Sequence, residues 1–187
     1  MGYILIGAST GGPKLIEKLC LAIPSCFKHT ICIVQHMQKD FTNSFAKNLN
    51  ELSSIEVIEA YNDLKLSCSK IIIAKGGVNL GFKEKYNNFF IELSQDKSDM
   101  FVPSVDEMFL SASEVLPPKE VMAIVLTGIG DDGAKGLLRL KEKGAYTIVQ
   151  DKDSSPVYGM PYEALKRGGA NKVLSFDEIL KEILRYE

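Results

Sequence analysis

The chain has no apolar run approaching the roughly 20 residues needed to cross a bilayer as a helix, and its first residues lack the basic segment and apolar core of a secretory leader. These absences argue against direct membrane insertion and lead to an expected cytoplasmic address. Histidine is scarce, with two in all, and the four cysteines, Cys20, Cys26, Cys32 and Cys68, form no Cys-x-x-Cys pair. A zinc centre is therefore not expected, and the thiols are expected to be free, buried core residues. There is no long basic run and the formal net charge is only -2, which argues against nucleic acid as the main partner. Internal repeats, low-complexity tracts and linkers are also missing, so no second domain is expected. What is present is 187 residues, 45% of them hydrophobic, enough for one globular domain, residues 1–187, with a core of its own.

Apolar runs alternate with helical patterns along the chain. Strands are expected over 3–7, 30–35, 56–60, 71–74, 121–127, 146–150 and 172–174. Several are apolar at every position, as strands covered on both faces are. Helices are expected near 14–22, 42–52, 104–115, 132–143, 161–167 and 176–184, and Ser104 with Glu107, like Ser175 with Glu178, matches a capping box. The order is that of an α/β fold: a single domain with a mostly parallel, doubly wound sheet and helices on both faces. At 78–93, "VNLGF", "KEKYNN" and "FFIEL" form an inserted β-hairpin.

In such a sheet ligands meet the carboxyl ends of the strands. The first strand ends in "IGASTGGP", a serine, a threonine and two glycines ahead of Pro13 and a helix. Glycines there can let a helix N-terminus accept a phosphate or let a serine stand exposed on a sharp turn as a nucleophile. The spacing G-x-G-x-x-G is absent, which disfavours phosphate. "IVQHM" places His36 at the end of the second strand, and "LTGIGDDGA" places Asp131 and Asp132 at a helix start. Serine, histidine and aspartate thus fall in three loops at one edge. A hydroxyl needs a base to take its proton, and the base needs a carboxylate to hold its tautomer. Each residue has a plainer use. Ser9 can be a helix N-cap, and either aspartate can cap the next helix. His29, beside Lys28, is expected to be solvated surface, whereas His36 ends a buried run.

"IGASTGGP", "VQHM" with "FTNSFAKNL", "PSVDEMF", "LTGIGDDGAKGLL" and "SSPVYGMP" together resemble the catalytic domain of the CheB family of bacterial chemotaxis protein-glutamate methylesterases, over about 3–184. The resemblance implies a serine hydrolase that removes methyl groups from γ-glutamyl methyl esters on the cytoplasmic domains of methyl-accepting chemoreceptors, and that also deamidates receptor glutamines. It implies no cofactor and no metal. The family's triad falls on Ser9, His36 and Asp132. An oxyanion and substrate loop is expected from Thr10, Gly11 and Gly12 and from Gly128, Ile129 and Gly130, with backbone N–H groups of Thr10 and near Ile129 as donors. The chain departs from many relatives at Ile129, Lys75 and Pro156, which affects the pocket's shape rather than the triad. Typical relatives also carry an N-terminal phospho-receiver domain and linker, whereas here the first strand begins at Tyr3. A serine esterase with another substrate and a nonenzymatic binding module of the same fold are the alternative readings.

Overall fold

Three strands whose every residue is buried form the centre of the molecule: β1 (Tyr3–Ala8), β2 (Thr30–Gln35) and β7 (Val121–Val125). In the computed structural model, which describes residues 1–95 and 102–186, β1 pairs in parallel with β2 on one side and β7 on the other. Outside β2 lie β4 (Lys70–Ile73) and then β3 (Glu56–Glu59), and outside β7 lie β8 (Tyr146–Gln150) and then β9 (Lys172–Leu174). The sheet order is β3-β4-β2-β1-β7-β8-β9, and every pair is parallel. The expected strands are all present. A separate antiparallel hairpin, β5 (Asn79–Lys85) and β6 (Asn88–Ser94), matches the expected insertion. Its two-residue turn holds Tyr86 and Asn87 at φ 51° and 56°, the positive angles that match the twist of paired strands.

Side chains alternate along each central strand, and the two faces of the sheet collect separate cores. Ile4, Ile6, Ile31 and Ile33 pack with Ile16 and Leu19 of α1 (Gly12–Ala22), Leu49 of α2 (Thr42–Leu52), and Ile179 and Ile183 of α6 (Phe176–Arg185). Leu5, Val34 and Val125 pack with Phe109 of α3 (Val105–Val115), Leu137 of α4 (Ala134–Glu142), Ala164 of α5 (Met160–Lys166), and Leu80, Phe82 and Ile91 of the hairpin. These are the two covered faces of a single α/β domain. Residues 96–101 and 187 of the expected 1–187 span lie outside the described residues. Among the described residues, no helix is long and apolar enough to cross a membrane.

Three expectations are corrected. His29 is not solvated surface: it is 8% exposed, its Nδ1 accepts from Gly2 N–H at 2.9 Å, and its Nε2 donates to Tyr186 O at 2.7 Å. Of the cysteines, all free, Cys20 and Cys32 are buried but Cys26 and Cys68 are exposed, because the latter two lie in connections rather than on a packed face. Ser175 forms the full capping box with Glu178. At Ser104 the side chain accepts from Glu107 N–H as expected, but the Ser104 N–H goes to Asn79 Oδ1 at 2.9 Å. The hairpin strand beside α3 thus supplies the acceptor expected from Glu107.

Candidate active site

β1 occupies the switch point of the sheet. The chain leaves it through α1 toward the β2 side, while β7 pairs on its other flank, so loops diverge around its carboxyl end and open a crevice there. Ala8 pairs with Gln35, and the ladder continues one step further: His36 N–H donates to Ala8 O at 2.9 Å and Ser9 N–H donates to Thr127 O at 3.0 Å. Register alone therefore brings Ser9, His36 and the loop after β7 to one place. Ser9 caps no helix. The N-cap of α1 is Gly11, with no side-chain cap bond.

Asp132 does not cap α4 either; that position is held by Gly133. Its carboxylate turns the other way, into the N-terminus of α3. Oδ1 accepts from Ser104 Oγ at 2.9 Å and Asp106 N–H at 2.8 Å, and Oδ2 accepts from Val105 N–H at 2.7 Å and His36 Nε2 at 2.7 Å. Four donors aimed at one carboxylate fix its position. Burial alone would push this carboxyl up, but the bonds from His36, Asp106 and Val105 outweigh it and hold the group below the usual carboxylate range. Asp131 is exposed and pairs with Arg167 at 2.5 Å. Of the two adjacent aspartates, only Asp132 meets the imidazole.

Because Asp132 is ionised and can only accept, His36 carries a proton on Nε2, and in the neutral imidazole the lone pair sits on Nδ1. In the serine-protease template the carboxylate meets the other ring nitrogen.

The turn after β1 is braced from the far side. Gly11 holds φ 85°, and a Cβ there would stand 2.8 Å from Pro156 Cβ, so this position needs glycine both for its conformation and for the close approach of the 151–159 loop. Thr127 Oγ1 lies 2.9 Å from Thr10 O and accepts from Val157 N–H at 2.9 Å. The Gly128 N–H is given to Val157 O and the Gly12 N–H to Ser9 O. Those two glycines therefore shape the loops but have no N–H left for an oxyanion, while Thr10 and Ile129 are exposed beside Ser9 and Gly128. Sequence reasoning missed Ser104, Val105 and Asp106 as partners of Asp132, although "PSVDEMF" signalled the segment. It also missed Gln35, whose amide lies between Ser9 and His36. Among the described residues, no group of three or more His, Cys, Asp or Glu side chains is placed to hold a metal ion.

A serine at the end of β1 and, at the end of the neighbouring strand, an imidazole held by a buried carboxylate are the parts of a serine hydrolase. The chain matches the CheB methylesterase family over residues 4–183 and belongs to that family. It is 39% identical over 184 residues to protein-glutamate methylesterase/protein-glutamine glutaminase 2 of Carboxydothermus hydrogenoformans, covering 97% of this chain and 52% of the relative. It is 40% identical over 182 residues to protein-glutamate methylesterase/protein-glutamine glutaminase 1 of Xanthomonas oryzae pv. oryzae, covering 97% of this chain and 51% of that one. The chain thus spans about half the length of these curated relatives. The crystal structure of the Thermotoga maritima CheB methylesterase catalytic domain superposes with a TM-score of 0.93 at 33% identity, covering 98% of this chain and 97% of that one.

Proposed function

We propose that residues 1–187 act as a catalytic unit that hydrolyses γ-glutamyl methyl esters on the cytoplasmic domains of methyl-accepting chemoreceptors, releasing methanol, and that converts receptor glutamines to glutamates with release of ammonia. The observation that carries this reading is the 2.7 Å bond from His36 to a buried Asp132 at the strand end next to Ser9, in a chain of the CheB methylesterase family. In the proposed reaction Ser9 Oγ attacks the ester carbonyl carbon as His36 Nδ1 takes its proton, and Asp132 stabilises the imidazolium. The tetrahedral oxyanion is met by backbone N–H groups of Thr10 and Ile129. Collapse breaks the bond to the methoxy oxygen, which leaves as methanol with the proton from His36. Water, deprotonated by the same nitrogen, then cleaves the Ser9 acyl ester and restores the serine. No step calls for a cofactor, and such receptor domains place the enzyme in the cytoplasm. The test is incubation with methyl-labelled receptor membranes. Methanol release is expected from the wild type and not from Ser9→Ala, and equal release by both would overturn the proposal.

A further inference from the structure

Gln35 is the last residue of β2 and is 3% exposed. Its Nε2 donates to Ser9 O at 2.9 Å and to His36 O at 3.0 Å, so one amide group ties the turn of the nucleophile to the loop of the base. Its other end gains nothing comparable: Oε1 is buried and has no hydrogen-bond partner. Turned over, the amide would aim that oxygen at two carbonyl oxygens, so the observed orientation is the only one the site permits. Room for it is made at Gly12, where a Cβ would stand 2.1 Å from Gln35 Oε1. A methionine would fill the same space without the partnerless side-chain oxygen, but it would take the donor from Ser9 O and His36 O. The amide is thus an awkward residue for packing but a good one for joining two carbonyls across neighbouring strand ends.

We propose that Gln35 is a positioning residue for the reaction: it holds Ser9 and His36 in attack geometry, while Gly12 serves to admit its amide. The inference rests on the assignment of Ser9 and His36 as nucleophile and base. An offset on the order of 1 Å between reacting groups costs about 100-fold in rate, so the loss should fall on turnover rather than on substrate binding.

The test compares wild type, Gln35→Met and Gln35→Glu by kcat and KM on methyl-labelled receptor across pH, by the rate at which a serine-directed phosphonate labels Ser9, and by thermal unfolding. For Gln35→Met, kcat and the labelling rate should fall by about 100-fold, the scale of such an offset, with KM within about twofold of wild type. In Gln35→Glu a carboxyl faces the two carbonyls and can donate only when protonated. Its activity should therefore fall as pH rises on the alkaline side, a limb that wild type lacks. Gln35→Met with wild-type turnover and labelling, or a Gln35→Glu profile with no alkaline fall that wild type lacks, would overturn the proposal; if Gln35→Met does not fold, the Gln35→Glu profile decides. A wild type labelled at Ser9 that releases no methanol would overturn the receptor substrate alone, leaving the labelling rates to judge Gln35. A wild type not labelled at Ser9 would overturn the site assignment and this inference together.

Discussion

The two histidines stand at opposite ends of one strand and have opposite surroundings. His29, just ahead of β2, is buried, and His36, just after it, has only 9% of its side chain exposed. Both ring nitrogens of His29 bond neutral backbone groups, Gly2 N–H and Tyr186 O. The rings of Phe27 and Tyr186 flank it at centroid distances of 5.2 and 5.3 Å. It joins Gly2, near one end of the described residues, to Tyr186, at the other. His36 meets a carboxylate that α3 holds in its ionised form. Burial does not separate these two histidines. The charge of the partner does, along with the edge of the sheet on which each stands.

The contrast predicts opposite outcomes for the same substitution. His36→Ala and Ser9→Ala should each abolish ester hydrolysis, by on the order of 10⁶ as for a serine hydrolase unit, with the double variant hardly worse because the two act together. His29→Ala should keep turnover within about twofold, yet lose ~1–3 kcal/mol of stability by leaving a buried N–H and a carbonyl without partners. That is a fall of several degrees in Tm at about 2–4 °C per kcal/mol. Methanol release and thermal melts on the four variants check this. Additive losses at Ser9 and His36, or an inactive but stable His29→Ala, would break the contrast.

The adjacent aspartates sharpen it. Asparagine at 132 keeps the size but can hold the wrong tautomer of His36, a change that costs about 10⁴ in turnover in the serine-protease triad. Among the described residues the Asp131 side chain forms an exposed pair with Arg167, worth at most ~1 kcal/mol, so Asp131→Asn should leave turnover nearly untouched. Saturating turnover of the two variants is the measurement, and a crippled Asp131→Asn would reverse the assignment.

The same contrast explains what could be read from the sequence. Tyr3–Ala8, Thr30–Gln35 and Val121–Val125 were legible as buried parallel strands because coverage on both faces removes the polar alternation. Ser9, His36 and the pair Asp131 and Asp132 are legible as neighbours because each follows such a strand and the carboxyl ends of a parallel sheet converge, while the choice of Asp132 rests on the family resemblance. His29 was misread because its partners lie 27 and 157 residues away, and nothing in "FKHT" points to them. The setting of Asp132 was hidden for a related reason: two of its four donors are backbone N–H groups of Val105 and Asp106, which have no side-chain signature. Gln35 looked like one more residue of a buried strand until its amide could be followed to two carbonyls.

A pH-dependent effect on stability concerns the carboxyls at this edge. Asp106 lies beside Asp132, and its Oδ1 accepts from Gly136 N–H at 2.6 Å. Burial raises its carboxyl most; the Gly136 bond opposes this, the charge of Asp132 adds to it, and the group is pushed from 3.8 up to about 6. The folded protein therefore holds a proton that the unfolded chain releases between these values. The contribution to stability is complete below the unfolded value and is lost as pH rises through the folded one. Discounted for partial exposure, the loss is ~1–3 kcal/mol. Asp132 has the opposite sign: lowered by its donors, it contributes stability above the unfolded value that is lost only as pH falls through its own lower one. Of these two carboxyls, Asp106 is the one whose contribution changes between pH 4 and 7. Asp106→Asn keeps an acceptor for Gly136 N–H and removes the titration, so the variant should match wild type near pH 4 and exceed it near pH 7 by about that amount. Urea unfolding of both proteins at the two pH values measures it. A constant offset at both would mean that Asp106 is a neutral structural acceptor whose protonation does not change over this range.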